Sequence, residues 1–445
     1  MTLENDNNTI LMFTTRSLCY SSGAFFTSRL SDTFEKMGFH TEICELDNNL
    51  AQENEAIITE NDCNKLESYI GKSYYAVIDF NSKLPRMIIE DGSYYLDNIN
   101  APFFNYILDN PLYHHSTLAC KLKNYNVVMV DKNHCEYVKK YYPHIKNVFF
   151  SVLSADTSFV NTSYDSKKNE IIFPGTYREP NFYLNMIMNG EYLCENEYLR
   201  YDTEARQHIV NIMKAMLDCM SSDTNITMQQ ALEHIFKKNG FYSLMCSENG
   251  VEGSSSLELD YINIFRETMN YAYPVEMYLR NYYRKQLIDN FVKDNTPVTV
   301  LGDWWDRYDN IDNRNITWQK PVTFAMSYSL ISNYSIILDC SPFFKNGIHD
   351  RVFSGMANKT AVITDYNNYK ASQGISNTIK MYDINNCKDC VYTAQELLIN
   401  SSERLNLVEN AFDLYKKDYT CPSNVMAFVT KRSGTRTASL SPNIF

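Results

Sequence analysis

Short apolar segments alternate with amphipathic segments along most of this 445-residue chain. The first unit has an apolar run at 9–14, a helical spacing of apolar residues over 24–37, and a second apolar run at 41–46. This strand–helix–strand order is the unit of a parallel sheet, and strands that are apolar throughout indicate a sheet covered on both faces. The pattern therefore predicts an α/β protein.

The alternation continues into a second half and predicts two domains, which a chain of this length also favours. A Ser/Thr/Asn-rich segment at 156–168 separates them. We predict an N-terminal Rossmann-like domain at 1–160 and a C-terminal Rossmann-like domain at 169–420. Further apolar strands are predicted at 75–80, 105–108, 126–130, 147–153, 170–173, 298–301, 335–338 and 360–364.

Helical patterns dominate 181–291, which we interpret as a helical insertion in the second domain that offers a surface for an oligomer contact or a partner. A long amphipathic helix is predicted at 393–417, and a loose polar tail at 431–445.

Charge and composition exclude several classes of protein. The formal charge of −12 disfavours nucleic acid and anionic lipid as partners. Neither a signal peptide at the first residues nor an apolar run of about 18 residues is present, so we expect a cytoplasmic protein with no membrane span. Cys387 and Cys390 form a lone C-x-x-C pair, so we expect reduced thiols and no metal site.

The most informative stretch is 336–365, IILDCSPFFKNGIHDRVFSGMANKTAVITD. It predicts a strand, a loop, a helix that begins near His349 or Asp350, and a second strand. The helix N-terminus then lies at the carboxyl edge of a parallel sheet, where its free N–H groups favour a phosphate. His349 and Arg351 add donors, and Gly347 permits a close approach of the backbone. An ordinary strand–helix connection with a surface arginine has the same pattern, so both interpretations stay open.

Residues 346–365, NGIHDRVFSGMANKTAVITD, resemble the donor-site signature of bacterial GT-B glycosyltransferases of the spore-maturation CgeB-like type. Looser resemblances are GDWWDRYDN at 302–310, FPGTYREP at 173–180, FNYILDNPLYHH at 104–115 and VDKNHCEYVKKYYP at 130–143. The resemblance covers most of the chain except 181–291. The residues that match the signature are Gly347, Arg351, Val352, Phe353, Met356, Ala357, Thr364 and Asp365.

The resemblance implies a GT-B fold, in which two Rossmann-like domains face each other across a cleft. It also implies that a sugar passes from a nucleoside-diphosphate sugar, with a UDP-sugar as the expected donor, to a hydroxyl of a glycan or protein acceptor. Neither a cofactor nor a metal is implied. The donor and phosphate site would comprise Gly23, Arg178, Gly302, Lys320, Gly347, His349, Asp350, Arg351 and Ser354.

An enzyme that inverts the anomeric configuration would need a general base from the N-terminal domain, and the candidates are Asp109 and His114, just after a predicted strand. Turn chemistry around Pro111 would account for the same residues. Ser354 replaces the glutamate that many such enzymes use to hold the donor ribose. Two alternatives stay open: a sugar-nucleotide epimerase or hydrolase, and a non-catalytic GT-B-like scaffold that binds a sugar or a partner. Ser354 favours the scaffold.

Overall fold

Two parallel six-stranded sheets form the framework of this computed structural model, which describes residues 8–15, 21–47, 60–153, 163–238, 255–372 and 374–420. The predicted tail at 431–445 and most of the predicted linker between the domains lie outside those residues. Each sheet has the carboxyl ends of its strands on one edge, as the α/β prediction requires.

The N-terminal sheet has the order β2-β1-β3-β4-β5-β6. All its strands are parallel, and the order in which successive strands are added reverses between β1 and β3, which creates a crevice at their carboxyl ends. The strands are β1 (Thr9–Thr15), β2 (His40–Leu46), β3 (Ala76–Phe80), β4 (Phe103–Ile107), β5 (Tyr125–Met129) and β6 (Asn147–Phe150). The helices are α1 (Ser22–Lys36), α2 (Glu60–Glu67), α3 (His115–Leu118) and α4 (Lys132–Tyr141).

The C-terminal sheet has the order β12-β11-β10-β7-β8-β9, the doubly wound Rossmann order, with its switch point between β7 and β10. Its strands are β7 (Lys168–Pro174), β8 (Val298–Leu301), β9 (Ile316–Gln319), β10 (Tyr334–Leu338), β11 (Ala361–Asp365) and β12 (Lys380–Tyr382). The helices beside it are α11 (Phe324–Ile331), α12 (Asp350–Ala357), α13 (Asn368–Ala371), α14 (Cys387–Ile399) and α15 (Ser401–Asp418).

Among the described residues, six helices between β7 and β8 confirm the predicted helical block; they are α5 (Pro180–Asn189), α6 (Glu197–Tyr201), α7 (Thr203–Ser222), α8 (Met228–Lys238), α9 (Ser255–Tyr271) and α10 (Tyr273–Lys293). The block bridges the two sheets, because α8 and α9 contact α4 of the N-terminal domain. Glu233 accepts hydrogen bonds from Lys140 Nζ at 2.9 Å and Tyr141 Oη at 2.7 Å, and the ring of Tyr141 stacks on Phe265.

One helix prediction is wrong, because 393–417 is divided between α14 and α15 at Asn400. The side chain of Asn400 accepts a hydrogen bond from the backbone N–H of Glu403 at 3.1 Å, so it caps the start of α15. An apolar stripe that continues across the break conceals it in the sequence. None of the described helices has the length and hydrophobicity that a bilayer crossing requires.

The two domains also touch directly, where the start of α4 meets the loop before α12. The backbone N–H of Lys132 donates to the carbonyl oxygen of Asn346 at 3.1 Å, and the N–H of Asn346 donates to Oδ2 of Asp131 at 2.8 Å. Asp131 has no exposed surface, so this contact is a buried part of the fold.

Candidate functional site

A cavity of about 750 Å³ lies between the two domains and is lined by the carboxyl ends of strands from both sheets. Ser22 and Asn81 come from the N-terminal switch point, and Gly175 and His349 come from the C-terminal one. Open α/β sheets bind ligands at these positions, so the two switch points of this chain converge on one cleft. The predicted arrangement of two facing Rossmann-like domains is therefore confirmed.

Helix α12 begins at this cleft, as the sequence predicts. His349 is its N-cap, and its Nδ1 accepts a hydrogen bond from the N–H of Arg351 at 3.2 Å. His349, Asp350, Arg351 and Ser354 all line the cavity. Ser354 Oγ donates to the carbonyl oxygen of Asp350 at 3.0 Å, so this hydroxyl is already engaged within the helix.

Arg351 is held by a carboxylate that the sequence did not single out. Its Nη1 lies 2.6 Å from Oδ1 of Asp339, which has no exposed surface. Burial alone would raise the pKa of Asp339, but the charge of Arg351, with smaller contributions from His349 and Lys370, outweighs it and holds that pKa well below its usual range. Arg351 is thus a fixed cation at the start of α12.

Two further arginines, Arg280 and Arg284, reach the cleft from α10 in the helical block. They are four residues apart and therefore share one face of the helix. Arg280 Nε donates to Glu276 Oε1 at 2.8 Å, whereas Arg284 makes only a long 3.5 Å contact from Nη1 to the carbonyl oxygen of Thr176. The side chain of Arg284 forms no ion pair with any carboxylate among the described residues, and its Nε is buried without a partner.

Burial lowers the pKa of Arg284 to about 10, and the positive charges of Arg351 and Arg280 add to this effect. Arg284 remains protonated at neutral pH, and its charge faces the cavity with no carboxylate at ion-pair distance among the described residues. Neither α10 arginine was predicted as a site residue, because the helical block was interpreted as an insertion. Their four-residue spacing was the available signal, and only the tertiary fold shows that it faces the cleft.

Arg178, which follows β7, lines the cleft as predicted and is exposed. Gly302, after β8, lies beside the same loop. A Cβ atom on Gly302 would lie 2.5 Å from the carbonyl oxygen of Gly175, and its φ is +148°, so only glycine fits there. The glycine lets the loops after β7 and β8 approach each other at the edge of the cavity.

Three of the predicted donor residues lie elsewhere. Gly347 contacts the N-terminal domain, where a Cβ atom would meet the carbonyl oxygen of Val130 at 2.3 Å, and it does not line the cavity. Lys320 lines a separate outer cavity with Trp304. Gly23 is buried in the first turn of α1, next to Ser22 at the cleft. Their predicted phosphate contacts stay predictions.

Of the two candidate bases, the structure brings only Asp109 to the cleft. Asp109 Oδ2 accepts a hydrogen bond from Nδ2 of Asn81 at 2.9 Å, which orients the carboxylate. His114 is 3% exposed and does not line the cavity, and burial lowers its pKa to about 4. Neither ring nitrogen of His114 has a hydrogen-bond partner among the described residues.

Within the described ranges, no three His, Cys, Asp or Glu side chains are grouped so that they could hold a metal ion. Cys387 and Cys390 are free and buried on α14, and burial raises the pKa of each thiol. They therefore have the environment of unreactive core cysteines.

Residues 280–430 match a protein family described as glycosyl transferase-like. No curated protein is significantly similar to the chain in sequence.

Three solved structures are similar in fold. One, an alpha-glucosyltransferase in complex with UDP and a 13-mer DNA, has 11% identity and a TM-score of 0.53 over 95% of this chain and 97% of its own. Anabaena HepE in complex with UDP and glucose has 8% identity and a TM-score of 0.50 over 95% and 99%. TarM has 9% identity and a TM-score of 0.41, and the chain covers 54% of its length with 80% of its own.

The first two similarities, with TM-scores of 0.53 and 0.50, show the fold, which is the GT-B arrangement that the sequence predicts. The spore-maturation CgeB-like type is a finer assignment and stays a prediction. The family match identifies residues 280–430 as a glycosyltransferase-like segment, and it thereby confirms for that segment the enzyme class that the sequence predicts. This segment carries α12 and three of the four cleft arginines, Arg280, Arg284 and Arg351.

Proposed function

We propose that the chain transfers a sugar from a nucleoside-diphosphate sugar, with a UDP-sugar as the expected donor, to a hydroxyl of a glycan or protein acceptor. The observation that carries the proposal is Arg284, a cation in the interdomain cleft with no carboxylate beside it among the described residues. A buried charge is costly unless a partner compensates it. A bound anion supplies that partner.

The charges around Arg284 indicate a polyvalent anion. Arg280 and Arg351 each have one carboxylate, Glu276 and Asp339, whereas Arg284 has none within the described residues. The exposed Arg178 adds a further cation at the same cavity. A diphosphate carries several negative charges in a compact group, and arginine binds phosphate oxygens in a bidentate manner.

The N-terminus of α12 adds the positive end of its helix dipole to these side chains, while the N–H of Arg351 is already donated to Nδ1 of His349. Free N–H groups and the helix dipole at such a position favour negative charge. The cavity, at about 750 Å³, falls within the usual range of roughly 300–1,000 Å³ for ligand pockets. It therefore has room for a nucleotide with an attached sugar.

In the proposed reaction, the two walls of the cleft have different roles. On the C-terminal wall, Arg284, Arg351 and Arg178 stabilise the negative charge that develops on the departing diphosphate, an electrostatic effect of the kind that usually dominates. On the N-terminal wall, Asp109 accepts the proton of the acceptor hydroxyl as it attacks the sugar carbon. This division requires no metal ion, because cationic side chains neutralise the leaving group.

A uridine donor is the choice that the similar structures favour. The alpha-glucosyltransferase and HepE are described in complex with UDP, and HepE also with glucose. The first of these is bound to DNA as well, but the formal charge of −12 of this chain disfavours a polyanionic acceptor. We therefore retain a glycan or a protein as the proposed acceptor.

The test is a thermal-shift screen of the purified chain with UDP, GDP, dTDP, ADP and their glucose conjugates, with and without EDTA. A ligand at about a hundred times its dissociation constant stabilises a protein by roughly 2.7 kcal/mol, a readily visible shift. We expect a nucleoside diphosphate to stabilise the wild type equally with EDTA present, and the shift to be lost in Arg284→Met.

Arg314→Ala is the matched control, because Arg314 is an exposed arginine of the same domain and does not line the cavity. It should retain the full shift. If none of these nucleotides stabilises the wild type, the donor site is refuted. Tight nucleotide binding with no sugar release from UDP-glucose or other conjugates would favour the non-catalytic scaffold, and release without any acceptor would favour the hydrolase or epimerase.

A further inference from the structure

Two consecutive tryptophans follow β8 and point in opposite directions. Trp305 is fully buried, and its Nε1 donates to the carbonyl oxygen of Gly175 at 2.7 Å. Trp304 leaves 41% of its surface exposed. Its backbone is left-handed, with φ 68° and ψ 12°, a conformation that is costly for a bulky side chain. The fold thus keeps the indole ring of Trp304 at the surface, although the backbone conformation that this requires is unfavourable.

The exposed ring of Trp304 contacts two guanidinium groups. The Cζ atom of Arg178 lies 4.9 Å from the ring centroid, and that of Arg307 lies 4.3 Å from it. Both distances are within the range of a cation–π attraction. Among the described residues, the Arg178 side chain makes one hydrogen bond, and it is long, 3.4 Å from Nη1 to Oη of Tyr183. The indole ring is therefore the principal contact that fixes the Arg178 guanidinium.

We infer that Trp304 is a positioning residue for Arg178 and holds its guanidinium at the cleft, where the donor diphosphate binds. This inference rests on the proposed function, which assigns Arg178 to the diphosphate. A long arginine side chain loses much rotamer freedom when it binds, and a contact that fixes it beforehand removes part of that cost. Trp304 itself lines the outer cavity and not the interdomain cleft, so it acts through Arg178.

The left-handed backbone offers a variant that separates positioning from stability. Trp304→Gly removes the ring and also relieves the strained φ, which glycine adopts freely. We expect its melting temperature to equal or exceed that of the wild type. We expect its dissociation constant for UDP, measured by isothermal titration calorimetry, to rise about fivefold, the size of one exposed cation–π contact. Trp304→Phe retains an aromatic face and should restore most of the affinity.

Arg307→Ala is the matched control, because it removes the other guanidinium from the same ring and leaves Arg178 in contact with it. Its UDP affinity should stay within about twofold of the wild type, since Arg307 does not line the cleft. We expect the same effect in steady-state kinetics, where Trp304→Gly should raise KM for the donor more than it lowers kcat.

A double-mutant cycle decides whether Trp304 acts through Arg178. In an Arg178→Ala background, Trp304→Gly should have no further effect on UDP binding. The inference is overturned if Trp304→Gly alone leaves UDP binding unchanged, or if its effect persists fully without Arg178, which would mean that the indole touches the ligand itself. Failure of the wild type to bind UDP would instead refute the proposed function, so the two failures are distinguishable.

Discussion

Oδ1 of Asp339 accepts a 2.6 Å charge-assisted hydrogen bond from Nη1 of Arg351, and the Asp339 side chain has no exposed surface. Thr364 Oγ1 donates to the other carboxylate oxygen at 2.9 Å, so both oxygens are satisfied. The pair connects the end of β10 with the start of α12. Arg351 therefore contributes to the fold as well as to the cleft, which complicates any functional interpretation of its removal.

Arg351→Ala is expected to destabilise the protein by about 3–5 kcal/mol at neutral pH, the usual cost of removing one partner of a buried ion pair. The Asp339 carboxylate would be left charged in the interior without its guanidinium. Urea unfolding followed by circular dichroism measures the loss, and Arg314→Ala, an exposed arginine, should change stability by less than about 0.5 kcal/mol. A loss of nucleotide binding in Arg351→Ala alone would thus not identify the donor site, and Arg284→Met is the cleaner probe.

The ion pair between Asp339 and Arg351 also predicts how the stability of the protein changes with pH. A carboxyl whose pKa is lowered in the folded state adds stability above its unfolded pKa, about 3.9, and this contribution is lost as the pH falls toward the folded pKa. The unfolded state is the same in both proteins, so the difference in stability between the wild type and Arg351→Ala follows the folded pKa values of Asp339. This difference should be largest near neutral pH and shrink on acidification, because the Asp339 carboxylate that has lost its guanidinium is protonated first. A difference that stays constant down to about pH 3 would contradict the assigned role of Arg351.

Gly347→Ala is expected to destabilise the contact between the domains. The added Cβ would lie 2.3 Å from the carbonyl oxygen of Val130 and 2.7 Å from Cα of Asp131, and both are backbone atoms of the buried connection between β5 and α4. Overpacking of this kind costs about 1–3 kcal/mol. Thermal unfolding measures the loss, and small-angle scattering would detect any widening between the domains.

Gly23→Ala is the matched comparison for Gly347→Ala. A Cβ on Gly23 would lie 3.7 Å from Oγ1 of Thr14, an ordinary contact, and Gly23 lies inside α1. Alanine is favoured over glycine within a helix by up to about 1 kcal/mol, so this variant should be neutral or more stable. If both substitutions had the same effect, the steric argument for Gly347 would fail.

The strands could be predicted where the chain is apolar throughout. Strands β1, β5, β10 and β11 are buried on both faces, so each appears in the sequence as a continuous apolar run. The strand β9 was missed because it is an edge strand with an exposed Thr317, and its four residues carry no continuous apolar run. Strand β12, with three residues, is too short to stand out.

The site was predicted where it is local in sequence and missed where it is assembled by tertiary structure. The N-terminus of α12 could be located because strand, loop and helix follow one another. Arg284 could not be assigned, because its proximity to Arg351 depends on how α10 lies across the C-terminal sheet. Gly347 was assigned to a phosphate because a loop glycine before a helix suggests one, whereas its nearest neighbours belong to the other domain.

His114 is expected to destabilise the folded protein on acidification. Burial lowers its pKa to about 4, so the folded state holds it neutral below the usual histidine pKa of about 6.5. The unfolded state binds a proton more readily than the folded state does. The free energy of unfolding therefore suffers no loss from this histidine above about pH 6.5, and it falls as the pH drops from about 6.5 to 4. His114→Gln should flatten the fall in unfolding free energy across that window, whereas exposed His234→Gln should leave the slope unchanged.

Asp109→Asn is expected to abolish turnover and spare donor binding. Removal of a general base lowers kcat by about 10²–10⁴-fold, whereas the diphosphate is held by arginines on the opposite wall. The amide has nearly the same shape as the carboxylate, and it can still accept the 2.9 Å hydrogen bond from Asn81, so the cleft should keep its geometry. The measurements are sugar transfer from the donor and UDP affinity by calorimetry. Glu90→Gln, an exposed carboxylate of the same domain outside the cavity, should change neither quantity. A variant that retains full turnover would exclude Asp109 as the base, and one that loses UDP affinity in proportion to turnover would place Asp109 in donor binding instead.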